Sequence, residues 1–270
     1  MPWHYKATGY GRPLILLHGL GMSHAVWSAV TPYLCTTRRV IAFDTAGFGS
    51  TPPLSKGTNP TVANLVDGLE RSIRDLGIAI PVDIAGNSLG GAMALEAATR
   101  GIARSVVAIS PAGLWTEHPP RHLKYVFRGL RFMTRNFNGL LKTAVHIPWL
   151  REVLLAVPLS VGSARMPSRA ACGAFDDLAG SAAFEETFDH TRAPLRLRHI
   201  TVPVTVAFGD RDWILPKRSR CRTALPAHTI WIDKPLWGHV PMWIDPAGVA
   251  QLILEATGIA ASRNEIQASR

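Results

Sequence analysis

The sequence is poor in cysteine, in apolar runs and in acidic residues. Its 270 residues include three cysteines, Cys35, Cys172 and Cys221, with no Cys-x-x-Cys spacing, which excludes a disulfide framework and a cysteine-based zinc site. No stretch approaches the ~20 apolar residues of a membrane-spanning helix. The first residues, MPWHYK, lack the apolar core of a signal peptide. We therefore expect a cytoplasmic protein with reduced cysteines and no transmembrane segment.

Basic residues outnumber acidic ones, with 29 Lys and Arg against 19 Asp and Glu and a formal net charge of +10. Such an excess favours contact with nucleic acid, an anionic membrane surface or an anionic substrate. Because no zinc finger, RNA-binding strand motif or helix-turn-helix accompanies the charge, we expect no nucleic-acid partner. We also find no phosphate loop, dinucleotide-binding glycine motif or metal-ligand cluster, so no cofactor and no metal are expected.

Short apolar runs alternate with helical spacing along most of the chain. This alternation predicts an α/β fold with a mostly parallel, doubly wound sheet, and the 47% hydrophobic content supports a large core. The last residues, 258–270, look like a polar, frayed tail. The predicted strands are 13–17, 39–43, 82–85, 105–109, 202–208 and 229–232, and the predicted helices are 24–34, 61–76, 89–100, 217–224 and 246–255.

The alternation is interrupted between about Leu114 and Arg198. We interpret residues 114–198 as a helical insertion that divides an α/β core into two parts, 1–113 and 199–270. A segment of it has an apolar face and a basic face, and we favour a cap that covers a site on the core over a helix that binds weakly to a membrane surface. The basic positions are Arg121, Lys124, Arg128, Arg131 and Arg135, and the apolar ones are Leu123, Val126, Phe127 and Leu130.

The stretch AGNSLGG, residues 85–91, joins a predicted strand to a predicted helix. A nucleophile raised above a sheet lies on a sharp, strained turn, where glycines two residues before and after it prevent collisions. Gly86 and Gly90 flank Ser88 in this way, so we predict that Ser88 is a nucleophile. A serine hydroxyl needs a base, and the base needs a carboxylate that orients it.

Two later motifs follow predicted strands and can supply these groups. GDRD, residues 209–212, contains two acids, and WGHVP, residues 237–241, contains a histidine. Together with HGLG at 18–21 and GNSLG at 86–90, they make four motifs in an order that resembles the α/β-hydrolase family over nearly the whole chain. The resemblance implies an α/β-hydrolase fold with Ser88 as nucleophile, His239 as general base and acid, and Asp212 as the orienting carboxylate, with Asp210 as its rival.

The resemblance also implies an oxyanion hole and two structural residues. The backbone N–H groups of Leu20 and Leu89 are the expected donors to the tetrahedral intermediate. His18 is expected to hold its loop by hydrogen bonds, and Asp44 is expected to brace the loop after its strand. Trp115, Trp149, Trp237 and Trp243 are candidates for the pocket between insertion and core.

Two hydrolytic activities remain open. The first is cleavage of a small-molecule carboxylic ester through an acyl-enzyme on Ser88. The second is carbon–carbon cleavage of dienoic diketo acids from aromatic-ring breakdown, a branch that the chain resembles in GNSLGG and in SPAGL. Arg128 and Arg165 are candidate ligands for the carboxylates of such acids. Val240 follows His239 where that branch is expected to carry an aromatic residue, so the ester hydrolase is favoured.

Two other functions are less consistent with the sequence. Relatives that open epoxides or remove halide are expected to use an aspartate nucleophile, and Ser88 argues against both reactions. A ligand-binding member of the family that does not turn over its ligand is a further alternative. The presence of Ser88, Asp212 and His239 together argues against it.

Overall fold

The computed structural model describes residues 2–115, 121–191 and 197–268. A seven-stranded sheet has the order β1-β3-β2-β4-β5-β6-β7. β1 is antiparallel to β3, and the other neighbouring pairs are parallel. The strands are β1 (Tyr5–Thr8), β2 (Arg12–Leu17), β3 (Arg38–Phe43), β4 (Val82–Asn87), β5 (Ala103–Ile109), β6 (Val204–Gly209) and β7 (Ile230–Lys234).

All six predicted strands are present, and one strand was missed. The central strand β4 is buried at every residue, as expected of a parallel strand covered on both faces. β1 escaped prediction because it has four residues and all of them are exposed. Since β4, β6 and β7 are parallel strands of one sheet, the segments that follow them leave at the same edge.

Helices cover both faces of the sheet. One apolar cluster packs α2 and α3 against one face, and a second packs α8 and the segment from Val26 to Leu34 against the other. The helices are α1 (Thr31–Leu34), α2 (Val62–Asp75), α3 (Leu89–Thr99), α4 (Arg121–Ala144), α5 (Pro148–Leu155), α6 (Ser168–Gly180), α7 (Phe184–His190) and α8 (Pro246–Ala268).

Two helix predictions and the predicted C-terminal tail need correction. Residues 24–34 form a 3₁₀ turn and then the short helix α1, which begins at Thr31 with a proline in its first turn. Residues 217–224 form two 3₁₀ turns, because the Cys221 amide between them donates to the Leu114 carbonyl at 2.7 Å and not to a helix. The tail expected after residue 258 is wrong as well, since α8 continues to Ala268. The segment 258–268 contains Ala, Glu and Gln and no proline, and its one glycine costs a helix only about 1 kcal/mol.

In the described part of the chain, α4 to α7 lie between β5 and β6. α4, α5 and α6 share a small apolar cluster that includes Leu141, Leu155 and Phe175. A second cluster joins Phe184 of α7 to Phe48 of the core. The division of the chain at residues 113 and 198 stays a prediction. Parts of the predicted insertion, 116–120 and 192–196, lie outside the described residues.

Candidate functional site

Ser88 lies on the turn between β4 and α3 with φ 53° and ψ −113°. This left-handed backbone is strained for a residue with a side chain. A Cβ on Gly86 would lie 2.1 Å from the Gly90 carbonyl oxygen, and a Cβ on Gly90 would lie 2.3 Å from the Leu17 carbonyl oxygen. No side chain fits at either position, so the two glycines are a physical requirement of the turn.

The loops after β6 and β7 bring Asp212 and His239 together. His239 Nδ1 lies 3.2 Å and 3.1 Å from the two carboxylate oxygens of Asp212, and both side chains are buried. The Asp212 carboxylate also accepts hydrogen bonds from the amides of Ile214 and Leu215. Burial raises the pKa of Asp212, but the charge and hydrogen bond of His239 and the Leu215 amide outweigh it, so its pKa lies below the usual value. The carboxylate is therefore ionised beside the imidazole.

Asn87 ties the serine turn to the histidine loop. Its Nδ2 donates to the His239 carbonyl at 2.9 Å and to the Ile109 carbonyl at 3.1 Å. The Ser88 amide donates to the same Ile109 carbonyl at 3.0 Å. Among the described residues the Ser88 hydroxyl makes no hydrogen bond, and Ser88 lines a cavity. Asn87 is a site residue that motif reasoning missed, although it stands directly before the serine in GNSLG.

Asp210, the rival acid, points elsewhere. It is exposed, and its Oδ1 accepts a hydrogen bond from the Leu236 amide at 2.7 Å. This contact fixes the turn after β7. The structure thus places Asp212, and not Asp210, against His239.

Leu20 and Leu89, the expected oxyanion-hole residues, line the same cavity as Ser88. Leu89 is the first residue of α3, so its N–H has no partner within the helix and the positive end of the helix faces the turn. The 18–21 loop approaches Ser88 closely, because a Cβ on Gly19 would lie 3.3 Å from the Ser88 Cβ.

The cavity at Ser88 is small and apolar. Its volume is about 70 Å³, and no described residue that lines it is charged. Phe127 from α4 closes one side and packs against Phe184 and Phe188 with ring centroids 6.1 Å and 5.7 Å apart. The lining residues are Leu20, Ser88, Leu89, Ala112, Trp115, Leu123, Phe127, Phe188, Thr191, Ile214 and Leu215.

A larger cavity of about 400 Å³ is lined in part by Val240, which follows His239 in the chain. Met22, Val26 and Trp243 line it from the core, and residues of α6 and the segment before it line the opposite wall. Of the four tryptophans proposed for the pocket, Trp115 and Trp243 line these two cavities. Trp237 is buried and donates to Asp245, and Trp149 is 66% exposed.

The arginines considered for substrate carboxylates lie away from the cavity at Ser88. Arg128 is exposed on α4, 3.7 Å from the Glu185 carboxylate. Arg165 is exposed on a 3₁₀ turn. Neither side chain lines the cavity. Arg131, predicted on the same basic face as Arg128, is buried and donates to the carbonyls of Leu178 and Ser181.

His18 is held by backbone groups of its own loop and of the segment after β3. It is fully buried, its Nδ1 lies 2.7 Å from the Gly19 carbonyl oxygen, and its Nε2 accepts from the Thr45 amide at 2.9 Å. Burial lowers the pKa of His18 despite the Gly19 carbonyl. A neutral imidazole that uses both nitrogens for backbone hydrogen bonds braces the 18–21 loop.

Asp44 is the centre of a second carboxylate–histidine group. Its oxygens lie 2.8 Å from His4 Nδ1 and 2.8 Å from His24 Nδ1, and they accept from the amides of His24 and Ser50. Burial raises the pKa of Asp44, but hydrogen bonds from His24 and Ser50 hold it well below the usual range. The ligand atoms of His4, His24 and Asp44 lie within 4.8 Å of one another and could hold a metal ion. The sequence analysis did not find this group.

A family model described as "Alpha/beta hydrolase family" matches residues 14–252. The match begins in β2, ends in α8 and includes Ser88, Asp212 and His239. The chain belongs to the alpha/beta hydrolase family. The predicted family and fold are thereby confirmed.

Curated relatives of this alpha/beta hydrolase are enzymes. The chain is 31% identical over 204 residues to epoxide hydrolase EphH of Mycobacterium tuberculosis, a match that covers 71% of this chain and 92% of that protein. It is 30% identical over 267 residues to the pimeloyl-[acyl-carrier protein] methyl ester esterase of Methylococcus capsulatus, which covers 93% and 96%. The prediction of a hydrolytic enzyme is confirmed.

The fold also matches solved structures. The meta-cleavage product hydrolase from Pseudomonas fluorescens IP01 superposes with a TM-score of 0.74 at 21% identity, over 95% of this chain and 94% of that one. At this level of identity the similarity concerns the fold.

Proposed function

We propose that this alpha/beta hydrolase cleaves carboxylic esters with Ser88 as the nucleophile. The observation that carries the proposal is the strained serine turn at the same sheet edge as the buried pair of Asp212 and His239. The cavity next to Ser88 has no charged described residue in its lining. This lining suits an uncharged apolar group beside the ester bond, because an unpaired charge would be costly there.

In the proposed reaction, the Ser88 oxygen attacks the ester carbonyl while His239 Nε2 takes its proton. Asp212 holds the Nδ1–H of His239 and stabilises the imidazolium that forms. The N–H groups of Leu20 and Leu89 bind the oxyanion of the tetrahedral intermediate. His239 then gives the proton to the leaving alcohol. Water attacks the acyl-enzyme while His239 takes its proton, and the proton returns to the Ser88 oxygen as the acid is released.

The relatives support an ester substrate over an epoxide. One of them is named as a methyl ester esterase and matches this chain over 93% of its length. The relative named as an epoxide hydrolase is similarly related, but epoxide opening in this fold is expected to begin at an aspartate, and position 88 is serine. Cleavage of carbon–carbon bonds in diketo acids is less well supported, since Arg128 and Arg165 lie outside the cavity lining.

The test is release of p-nitrophenol from acetyl to decanoyl p-nitrophenyl esters by wild type, Ser88→Ala and the control Ser55→Ala. Ser55 is an exposed serine that lines neither of the two cavities described above. We expect turnover by wild type and Ser55→Ala only. A fluorophosphonate probe should modify Ser88, and mass spectrometry of the labelled protein should locate the modification at this residue.

Inactivity of the wild type on every ester would contradict the proposal, and dienoic diketo acids are then the next substrates. Turnover that survives in Ser88→Ala would place the chemistry elsewhere. A function that persists in Ser88→Ala together with unchanged ligand binding would favour a receptor over an enzyme.

A further inference from the structure

The exposed apolar side chains of the protein are concentrated on α4 and α5. Of the fifteen large hydrophobic residues that are exposed in the described part of the chain, nine lie between residues 125 and 157. We call this surface the α4–α5 face. Phe132 and Phe137 contact each other, with ring centroids 6.2 Å apart. Exposed apolar side chains grouped on neighbouring elements mark an interaction site, whereas single exposed residues do not. Its members are Tyr125, Phe132, Met133, Phe137, Leu140, Ile147, Trp149, Val153 and Val157.

Exposed apolar residues occur on both parts of α4, which is kinked at Phe137. Before the kink, Tyr125 and Phe132 are seven residues apart and lie on the same side of the helix. Leu140, after the kink, is exposed as well. The opposite side of α4 is buried through Leu123. The outward-facing apolar side chains of α4 are therefore not the ones that pack the helix against the rest of the protein.

Basic side chains border the apolar ones. Lys124, Arg128 and Arg135 are exposed on α4 at intervals of four and seven residues. From residue 121 to residue 175 the sequence contains one acid, Glu152, and its carboxylate accepts hydrogen bonds from the Gly162 and Ala164 amides. Two acids from other helices also contact α4, Asp176 at Lys142 and Glu185 at Arg128. The exposed Lys124 and Arg135 leave the face with a positive balance.

An open groove of about 880 Å³ runs along the basic border. Arg128, Arg131 and Arg135 line it together with Glu185. Arg131 is 7% exposed, and its Nε makes no hydrogen bond within the described residues; it lies 3.5 Å from a Glu185 oxygen. Three guanidinium groups against one carboxylate leave the groove with a positive balance that suits a phosphate group.

We propose that the α4–α5 face binds the surface of an anionic lipid bilayer. A surface-bound helix of this kind inserts its aromatic and aliphatic side chains at the boundary between headgroups and acyl chains and keeps its basic side chains among the phosphates. Phe132, Leu140 and Trp149 fit the first role, and Arg128 and Arg135 fit the second. No helix of the described residues is long and apolar enough to cross the membrane, so the contact is with the surface.

Other occupants fit the face less well. In a symmetric dimer the same surface would meet its copy, and the exposed basic side chains of α4 would then face one another. Nucleic acid would pair with the arginines but leave the apolar residues in water. An acidic protein would satisfy the charge, but the exposed Leu140, Trp149 and Val153 match an apolar phase. These alternatives are separate outcomes of the test below.

The same helix faces the cavity at Ser88. Leu123 and Phe127 of α4 line that cavity, whereas Phe132 and Leu140 of α4 point outward. A bilayer at the α4–α5 face would therefore lie one helix thickness from the catalytic candidate. The proposal does not depend on ester hydrolysis, and Ser88→Ala should bind the bilayer as wild type does.

The experiment is co-sedimentation with vesicles of phosphatidylcholine alone and of phosphatidylcholine mixed with phosphatidylglycerol, at physiological ionic strength. Wild type should bind the mixed vesicles and lose binding at high salt, where charges are screened. Each arginine removed by Arg128→Gln or Arg135→Gln should weaken binding on the order of fivefold. Phe132→Ser combined with Leu140→Ser should weaken it on the order of tenfold or more.

Matched controls alter exposed residues away from the face. Arg71→Gln removes an exposed arginine of α2, and Tyr10→Ser removes a side chain that is 74% exposed. Both should bind as wild type does. Hydrogen exchange of the wild type with and without vesicles provides a second measurement that needs no variant, and slower exchange should be confined to α4 and α5.

Several results would overturn the proposal. The first is failure of wild type to sediment with the mixed vesicles, and the second is protection from exchange outside α4 and α5. Equal losses in the control variants would show that the total charge of the protein, and not this face, drives binding. Retention on polyglutamate without vesicle binding would identify an acidic protein as the partner, and concentration-dependent dimers lost in Phe132→Ser would identify a second copy.

Discussion

Two buried carboxylates of this protein each contact histidine, yet their surroundings differ. Asp212 follows β6 and meets His239 beneath the serine turn. Asp44 follows β3 and meets His4 and His24. Both carboxyl groups have a pKa below the usual value. The first group is tied to a strained turn at a helix N-terminus, through the Asn87 side chain that donates to the His239 carbonyl. An Asp–His pair thus becomes a catalytic candidate through its neighbours and not by itself.

The largest expected effect is that of Ser88→Ala. If the Asp212 group is the catalytic one, removal of the nucleophile should lower kcat for ester hydrolysis by about 10⁵-fold or more. The free energy of unfolding should change little, because the Ser88 hydroxyl has no hydrogen bond within the described residues. Steady-state kinetics and urea unfolding provide the two values. A loss below about tenfold would remove Ser88 from the mechanism.

Asp212→Asn should lower kcat by about 10⁴-fold, because the histidine would lose the carboxylate that sets its tautomer and stabilises its charge. The matched variant Asp210→Asn changes the neighbouring exposed acid and should retain activity within a few fold. Kinetics of both proteins on the same ester decide the assignment. The reverse ranking would make Asp210 the functional acid.

Gly86→Ala should destabilise the fold by about 3 kcal/mol or more, since its Cβ would lie 2.1 Å from the Gly90 carbonyl oxygen. Gly173→Ala is the control, because it adds the same atom in α6 with nothing within 4 Å. That change should stabilise the protein by about 0.5–1 kcal/mol. Urea unfolding compares the two. Equal stability of both variants would contradict the described turn.

Asp44→Asn should cost about 2–3 kcal/mol of unfolding free energy through its weakened hydrogen bonds, while kcat stays within a few fold of wild type. This result would complete the contrast with Asp212→Asn, which should lose activity. Urea unfolding and ester kinetics are the measurements. A drop in kcat comparable to that of Asp212→Asn would show that the second group also takes part in the reaction.

The smallest effect concerns pH. Because the folded pKa of Asp44 lies below its unfolded value, the carboxylate contributes stability above the ordinary pKa of about 3.9, and this contribution is lost as the pH falls toward the lower folded pKa. Asp44→Asn lacks that contribution, so its stability should fall less than that of wild type on acidification. Unfolding free energies at a series of acidic pH values test the slope. Parallel curves would show that Asp44 is not the titrating group.

The serine turn was predictable from local sequence, and the proximity of Asp212 to His239 was predicted from the order of motifs that the chain shares with the family. The glycines around Ser88 and the strand ends before Asp212 and His239 are visible without a structure. The Asp44 group was not predictable, because His4 reaches Asp44 only through the pairing of β1 with β3, and β1 carries no pattern that predicts a strand.

The α4–α5 face shows a second limit of the sequence. Helical spacing assigned Arg128 and Arg131 to one basic face. Arg131 is instead buried, and it donates hydrogen bonds to the carbonyls of Leu178 and Ser181. These partners lie about fifty residues away in the chain, and spacing within one helix carries no information about them. For the same reason, the sequence did not show which apolar residues of α4 remain exposed to solvent.

The residues of the serine turn differ in the substitutions that they tolerate. Positions 86 and 90 have no room for a single methyl group, whereas the side chain of residue 88 borders a cavity. Substitution of the two glycines is therefore blocked, while substitution at position 88 would change the proposed nucleophile and leave the backbone in place. Proteins with such a turn can therefore differ in chemistry through a substitution at this one position. Residue 88 is also the first position to vary when a new reaction is sought in this protein.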